Sequence, residues 1–290
     1  MSNVPLVSVV IPTFNTPAKY LLQSISSVLK QTYNNIELVI VDDSSDFPFS
    51  GVDKQILSDR ITWVRSRVNS GVSAARNRGV ELARGNWVAF LDADDWWDPK
   101  KISKQISALE ITSTKWSYVG ANITDSKGSV LRRKTATVTG DVLVNCLREF
   151  PISGSCSSVV IDRIIFTNLG GFDTSNLVVE DWDFWIRCAR EHPVVSVNEN
   201  LTYIRQHDFS RSSNSEQQIN RVRRLFEKHA TLYEYYNLFR FQKSHIYYII
   251  ARHKMRAKKY GPALFYLIRS LILDPRKLKT LFSYFSGYFG

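Results

Sequence analysis

Cysteine is scarce in this 290-residue chain: Cys146, Cys156 and Cys188 are odd in number and well separated, with no CxxC pair. That argues against a disulfide framework and a paired-cysteine zinc site, and a reducing compartment is expected. No basic n-region precedes the N-terminal run MSNVPLVSVVIPTFN, which turns at once strand-like, so no secretory leader is expected. The longest apolar stretch near the C-terminus, 263–273, is interrupted by Arg269 and is too short and too charged to span a bilayer. With 13 Gly and 9 Pro and no low-complexity tract, collagen-like and disordered classes fall away. The phosphate loops GxxxxGK(S/T) and GxGxxG are absent, as is the GxSxG of serine hydrolases, which the segment 152–157 resembles only superficially.

What is present is enough apolar surface for a sizeable core, 44% of residues, and an uneven charge. The net charge is +11, and residues 205–290 hold 17 Lys and Arg against 5 Asp and Glu. The rest of the chain balances 21 basic residues against 22 acidic ones. A near-neutral body therefore carries a basic tail, suited either to an anionic contact or simply to a solvated face.

Four strand-like runs occur early, at 7–11, 36–41, 61–64 and 87–91, three of them almost continuously apolar, as in strands buried on both faces. Helical periodicity fills 20–31 and 72–84. This alternation predicts βαβ units and a parallel sheet, whose ligands sit beyond the carboxyl ends of the strands. A helix at 99–110 follows, then short strands at 116–121, 157–161, 194–197 and 201–205, a polar hairpin or loop at 124–140, and a helix beginning near Asp181. Beyond Asp208 the pattern becomes helical, over 216–236, 243–258 and 262–273, and part of it resembles one tetratricopeptide helix pair, which any amphipathic hairpin would match.

Carboxylates mark the strand ends. Asp92, Asp94 and Asp95 fall within four residues after an apolar run. Their mutual repulsion would be relieved by a hard divalent cation that leaves positions open for phosphate oxygens. The alternative is an acidic loop in which one Asp caps a helix, and Asp98 is better placed for that. Asp42 and Asp43 end a second strand, where a carboxylate can accept from a base or ribose or simply make a turn. The run 69–79 places Gly71 before a helix carrying Arg76 and Arg78, a setting for phosphate or a merely structural helix. Glu180 and Asp181 lie among aromatics, including Trp182 and Trp185; shedding water there would raise a carboxylate's proton affinity, as a general base requires. His207, between Arg205 and Arg211, suits a phosphate or metal-diphosphate contact, although a lone His is more often structural.

In series, Ser8 to Asn15, Val39 to Ser45, Ala74 to Gly79 and Phe90 to Asp95, followed by Glu180 to Asp183 and Arg205 to His207, resemble family 2 glycosyltransferases. The resemblance covers residues 5 to 212. It implies the GT-A fold, an α/β class with a Rossmann-like mixed, mostly parallel sheet flanked by helices, here with a C-terminal helical extension. The implied division is a catalytic domain at 1–210, with a nucleotide-sugar half at about 1–98 and an acceptor half at 99–210, then a basic helical region at 211–290. The implied reaction is hexosyl transfer (EC 2.4) from a nucleotide-diphosphate sugar to an acceptor hydroxyl with inversion, in surface polysaccharide or glycolipid assembly. Uracil is the usual base, and Mn²⁺ or Mg²⁺ the cofactor.

By the same resemblance Asp181 matches the general base. Pro12, Thr13, Asn15, Asp43, Arg76, Asp92 and Ala93 match donor and nucleotide positions. Asp94 matches the metal ligand of a DxD motif, with Asp92 and His207 as further candidates, and Glu180, Trp182, Arg205 and His207 fall on the acceptor or diphosphate side. The sequence runs Asp208-Phe209 where many relatives have glycines, and it lacks the QxxRW of processive members, for which Trp185-Ile186-Arg187 is no substitute. Transfer of one or a few sugars is therefore expected. The expected partners are a sugar donor, a saccharide or lipid-linked acceptor, and the inner face of the cell membrane, touched peripherally by the basic helices of an otherwise cytoplasmic protein. The rival reading is a non-catalytic nucleotide-sugar-fold module whose tail binds a partner or nucleic acid. Retention of Asp94 and Asp181 speaks against it, and tail aromatics at helical spacing speak for core rather than base stacking.

Overall fold

The parallel half of the sheet follows from those apolar runs. In the computed structural model, which describes residues 4–46, 60–148, 155–175, 179–206, 215–276 and 278, β1 (Val7–Thr13) is buried at every position. It lies parallel to β2 (Ile36–Asp42) on one side and β4 (Trp87–Phe90) on the other, and β3 (Ile61–Arg65) extends the sheet beyond β2. Two helices make the crossovers, α1 (Ala18–Leu29) between β1 and β2 and α2 (Val72–Leu82) between β3 and β4. A Cβ on Gly79 would come within 2.2 Å of Val10 Cγ1. Only glycine lets α2 lie this close to β1, and that approach brings Arg76, one turn earlier, under the strand ends.

The remaining strands make the sheet mixed. A two-residue strand β5 (Trp96–Trp97) precedes α3 (Lys101–Thr112), and β6 (Trp116–Thr124) pairs with an exposed hairpin partner β7 (Val130–Lys134). After α4 (Leu143–Arg148) and a short 3-10 turn at Cys156–Ser158 comes β8 (Val159–Asp162), antiparallel to both β4 and β6. Then follow α5 (Arg163–Asn168), α6 (Glu180–Glu191) and β9 (Val195–Arg205), which is parallel to β6 and antiparallel to β5. Among the described residues the order is β3-β2-β1-β4-β8-β6-β9-β5, with β7 off β6.

Several expectations shift in detail. The two runs at 194–197 and 201–205 are one continuous strand, and the polar segment after 124 contains the hairpin strand β7. The regular helix α3 begins at Lys101, and Asp98 caps the turn that leads into it, accepting from the Lys100 N–H at 2.9 Å. At the same helix start Lys101 is fully buried, its Nζ 4.0 Å from the Trp97 ring centroid, and burial pushes its amine well below its ordinary range.

The chain divides into two compact units, the first comprising Met1–Leu143, Pro151–Thr174 and Glu180–His207. The second takes Asp208–Gly290 together with Val144–Phe150 and Ser175–Val179, so the division is not a single cut near residue 210. Among the described residues after Asp208 its helices are α7 (Ser215–Lys228), α8 (Ala230–Tyr235), α9 (Phe239–Arg256) and α10 (Tyr260–Leu273), where the sequence pattern suggests three. Within this unit Tyr233 Oη donates to Leu147 O at 2.8 Å, and Ser244 and Ser270 exchange hydrogen bonds between α9 and α10.

Candidate active site

Because β1, β2 and β4 are parallel, their carboxyl ends open on one edge, where an α/β sheet gathers its ligands. Beyond β4 the chain makes a tight turn, Asp95 N–H donating to Asp92 O at 3.0 Å. Two neighbours pin this turn. Ser157 Oγ accepts from the Asp92 N–H at 3.0 Å and donates to Asp95 Oδ2 at 2.7 Å. The Arg205 N–H donates to Asp95 Oδ1 at 3.0 Å, and Arg205 Nε donates to Asp94 O at 3.1 Å. Burial, with Asp94 and Asp92 alongside, pushes the Asp95 carboxyl well above its usual range. Asp95 is thus a buried internal strut, while Asp92 and Asp94 remain partly exposed.

Arg76 joins this turn to the second acidic segment. Its guanidinium is 5% exposed, donates to Asp92 Oδ1 at 2.6 Å through Nη2, and lies 3.7 Å from Glu180 Oε1 through Nη1. Of the two arginines on α2, Arg78 sits on the surface with Glu81, as the structural alternative holds, whereas Arg76 does not. Glu180 and Asp181 open α6, whose other residues anchor it. Phe184 and Trp185 are fully buried, Trp185 stacks on Trp116 with centroids 5.4 Å apart, and Phe184 meets Phe166 and Phe172. Arg187 ties Asp183 to the carbonyls of Leu169 and Gly171. The Asp181 carboxyl is pushed up to about 7, chiefly by burial and then by Glu180, against the opposing pull of Arg76 and the Trp182 N–H.

Four expected site residues already have places within the protein's own packing or hydrogen bonding. Asp43, 3% exposed, accepts the Ser70 and Gly71 N–H groups at 3.0 and 2.7 Å, so the main-chain donors foreseen for a phosphate are already taken by a carboxylate. Gly71 stands at φ 90°, which only glycine adopts readily, and this lets its N–H reach Asp43. Arg205 uses Nε, Nη1 and Nη2 on Asp94 O, Ser126 O and Gln23 Oε1, between the rings of Tyr20 and Trp96 at 4.1 and 4.7 Å. Arg205 thus holds the turn. Trp182 is 4% exposed and belongs to the core rather than to an acceptor surface. Asn15, at φ 50°, exchanges hydrogen bonds with Asp46 at 2.8 and 2.9 Å, which ties the loop after β1 to the loop after β2.

Pro12 and Thr13 end β1, and Thr13 O accepts the Asp43 N–H at 2.9 Å. Ala93 is buried in the acidic turn, and His207 lies outside the described residues. Ser157 was visible in the sequence only as part of a serine-rich stretch read as a turn or an acceptor lining. Tyr20, Gln23 and Trp96 gave no signal at all, because their partners are distant in the chain.

A mixed, mostly parallel sheet with acidic turns at its carboxyl edge and helices on its flanks is the GT-A fold of glycosyltransferases. The family model described as glycosyl transferase family 2 matches residues 8–148. The chain is 31% identical over 217 residues to the Escherichia coli UDP-Glc:alpha-D-GlcNAc-diphosphoundecaprenol beta-1,3-glucosyltransferase WfaP, covering 72% of this chain and 80% of that protein. It is 30% identical over 252 residues to an uncharacterized glycosyltransferase of Methanocaldococcus jannaschii, covering 81% and 78%. A crystal structure of S. aureus TarS 1-349 in complex with UDP-GlcNAc superposes with a TM-score of 0.62 at 16% identity, over 86% of this chain and 71% of that one. The chain spans 42% of a longer TarS chain of the same fold. It belongs to glycosyltransferase family 2 and is a glycosyltransferase, which removes the non-catalytic module as a reading.

Proposed function

We propose that this glycosyltransferase moves a sugar from a UDP-sugar to a hydroxyl of a saccharide or lipid-linked acceptor, with inversion, in surface polysaccharide or glycolipid assembly. The observation that carries the reading is the link from Asp92 through Arg76 to Glu180, beside an Asp181 pushed up to about 7. It supports a donor side and a base side at opposite ends of one buried guanidinium. The names of relatives agree: WfaP is named for UDP-Glc and a diphosphoundecaprenol-linked acceptor, and the TarS fragment was crystallised with UDP-GlcNAc.

The residues present fit a divalent cation. Asp92, Asp94, Asp95, Glu180 and Asp181 outnumber the buried arginines between them, and Asp95 is raised first by burial and then by the charges of Asp94 and Asp92. Among the described residues no group of three or more His, Cys, Asp or Glu would hold a metal unaided. That suits Mn²⁺ or Mg²⁺ held by one or two carboxylates, with diphosphate oxygens and water completing the shell. Asp94 would hold it, assisted by Asp92. When bound, such an ion offsets the charge that grows on a departing diphosphate. We place the nucleoside beside Pro12, Thr13, Asn15 and Asp43, with Ala93 and Arg76 along the diphosphate. Glu180 lies on the acceptor side.

Asp181 takes the proton from the acceptor hydroxyl, whose oxygen attacks the anomeric carbon on the face opposite the leaving nucleoside diphosphate. One base on that face suffices, and no covalent enzyme intermediate forms. Arg76 stays protonated throughout and keeps Asp92 and Glu180 from repelling each other. Calorimetric titration of UDP and GDP, with and without Mn²⁺, tests the assignment. Metal-dependent UDP binding that Asp94→Ala weakens by about tenfold or more is expected, and absence of nucleotide binding by the folded protein would overturn it.

A further inference from the structure

We propose that the outward side of α10 is a docking surface for an anionic lipid bilayer. The helix reads YGPALFYLIRSLIL, with Arg269 its one charged residue, so it has no polar face. Helices apolar all round are normally enclosed on every side. Here only Ala263 and Ser270 are buried, Ser270 by its exchange with Ser244 of α9. Tyr260, Leu264, Ile268 and Ile272, four residues apart, follow one side of the helix and are 62%, 57%, 48% and 66% exposed. Phe265 widens the stripe.

The charge around the stripe selects the occupant. From residue 235 to 273 the chain holds eight Lys and Arg and no Asp or Glu. Lys258 and Lys259 are exposed at the turn entering α10, directly before Tyr260. Arg269 lies over the Phe265 ring at 4.6 Å, its stem along apolar surface and its charge outward. A second copy of this chain would bring like charges together. Residues 279–290 contain a Lys and no acidic residue, so they offer no counter-charge either. A surface that is apolar within and negative at its rim meets both demands, which is what acidic headgroups over acyl chains present. None of the described helices is long and apolar enough to cross a membrane, so the contact is lateral.

Co-sedimentation of the full chain with phosphatidylcholine vesicles, with and without about one quarter phosphatidylglycerol, tests this. Binding is expected to the anionic vesicles and to fall several-fold between about 0.1 and about 0.5 M salt. Ile268→Glu/Ile272→Glu should lower it at least about tenfold with an unchanged thermal melt. If that variant melts early, Ile268→Ser/Ile272→Ser gives the same reading more gently. Lys258→Gln/Lys259→Gln should weaken binding to anionic vesicles only. Undiminished binding by the Ile268/Ile272 variants, or equal binding to neutral vesicles at every salt concentration, overturns the proposal. So does light scattering that finds a dimer which those variants convert to monomer, or loss of binding in Phe282→Asp/Phe285→Asp alone, which would assign the contact to residues 279–290. None of these readouts depends on glycosyl transfer.

Discussion

A carboxylate in the first turn of a helix is ordinarily stabilised as an anion by the helix dipole. Asp181 has that position on α6 and goes the other way, because burial and the neighbouring Glu180 outweigh the dipole and Arg76. As the proposed base it must be ionised, so kcat/KM for transfer should climb about tenfold per pH unit below about 7 and level above it. The same shift costs stability. The folded-state value, about 7, exceeds the ordinary 3.8, so the penalty on folding grows as the pH rises from the ordinary value to about 7, is full above that, and vanishes below the ordinary value, where both states are protonated. Asp181→Asn should abolish transfer by about two orders of magnitude or more while leaving UDP affinity intact. At pH 8 it should also stabilise the fold by on the order of 2 kcal/mol, a gain that chemical denaturation at pH 4 no longer finds.

At the scale of elements, the acidic turn after β4 is shaped by other strands more than by its own residues. Ser157, in the 3-10 turn before β8, and Arg205, at the end of β9, bind opposite oxygens of Asp95. Trp97 Nε1 returns to Ser157 O at 2.7 Å, which locks β5 to the same point. Ser157→Ala would leave the buried Asp95 one donor short and the Asp92 N–H without its acceptor. A loss of about 1–3 kcal/mol in denaturant unfolding is expected. Metal-dependent UDP binding should weaken several-fold alongside it, whereas a purely structural role would move stability alone.

For the molecule as a whole, the three cysteines supply a simple check. Cys146, Cys156 and Cys188 form no disulfide and are fully buried, and burial raises the Cys156 thiol well above its usual value. A thiol reagent should therefore titrate none in the native protein and three after denaturation, because reaction needs both access and thiolate. One reactive cysteine before unfolding would mean that its unit opens locally at equilibrium. Charge is also distributed at this scale, with the basic excess confined to the chain beyond residue 205.

The parallel strands, the acidic residues at their ends and the family were legible in the sequence, because each is a local pattern: apolar runs of strand length, carboxylates just after them, and helical periodicity between. Strands 7–11, 36–41, 61–64 and 87–91 differ from the observed elements by at most two residues at an end. What each polar side chain does was decided by tertiary structure. Asp92, Asp94 and Asp95 look alike in sequence, yet one bonds Arg76, one stays partly exposed and one is buried as a strut. Arg205 and Asp43, read as ligand contacts, also bond the scaffold, Arg205 through Asp94 O, Ser126 O and Gln23, and Asp43 through the Ser70 and Gly71 N–H groups. The reason is physical: a buried polar group must find partners, and those partners lie about 27 to 180 residues away in the chain, beyond the reach of any local pattern.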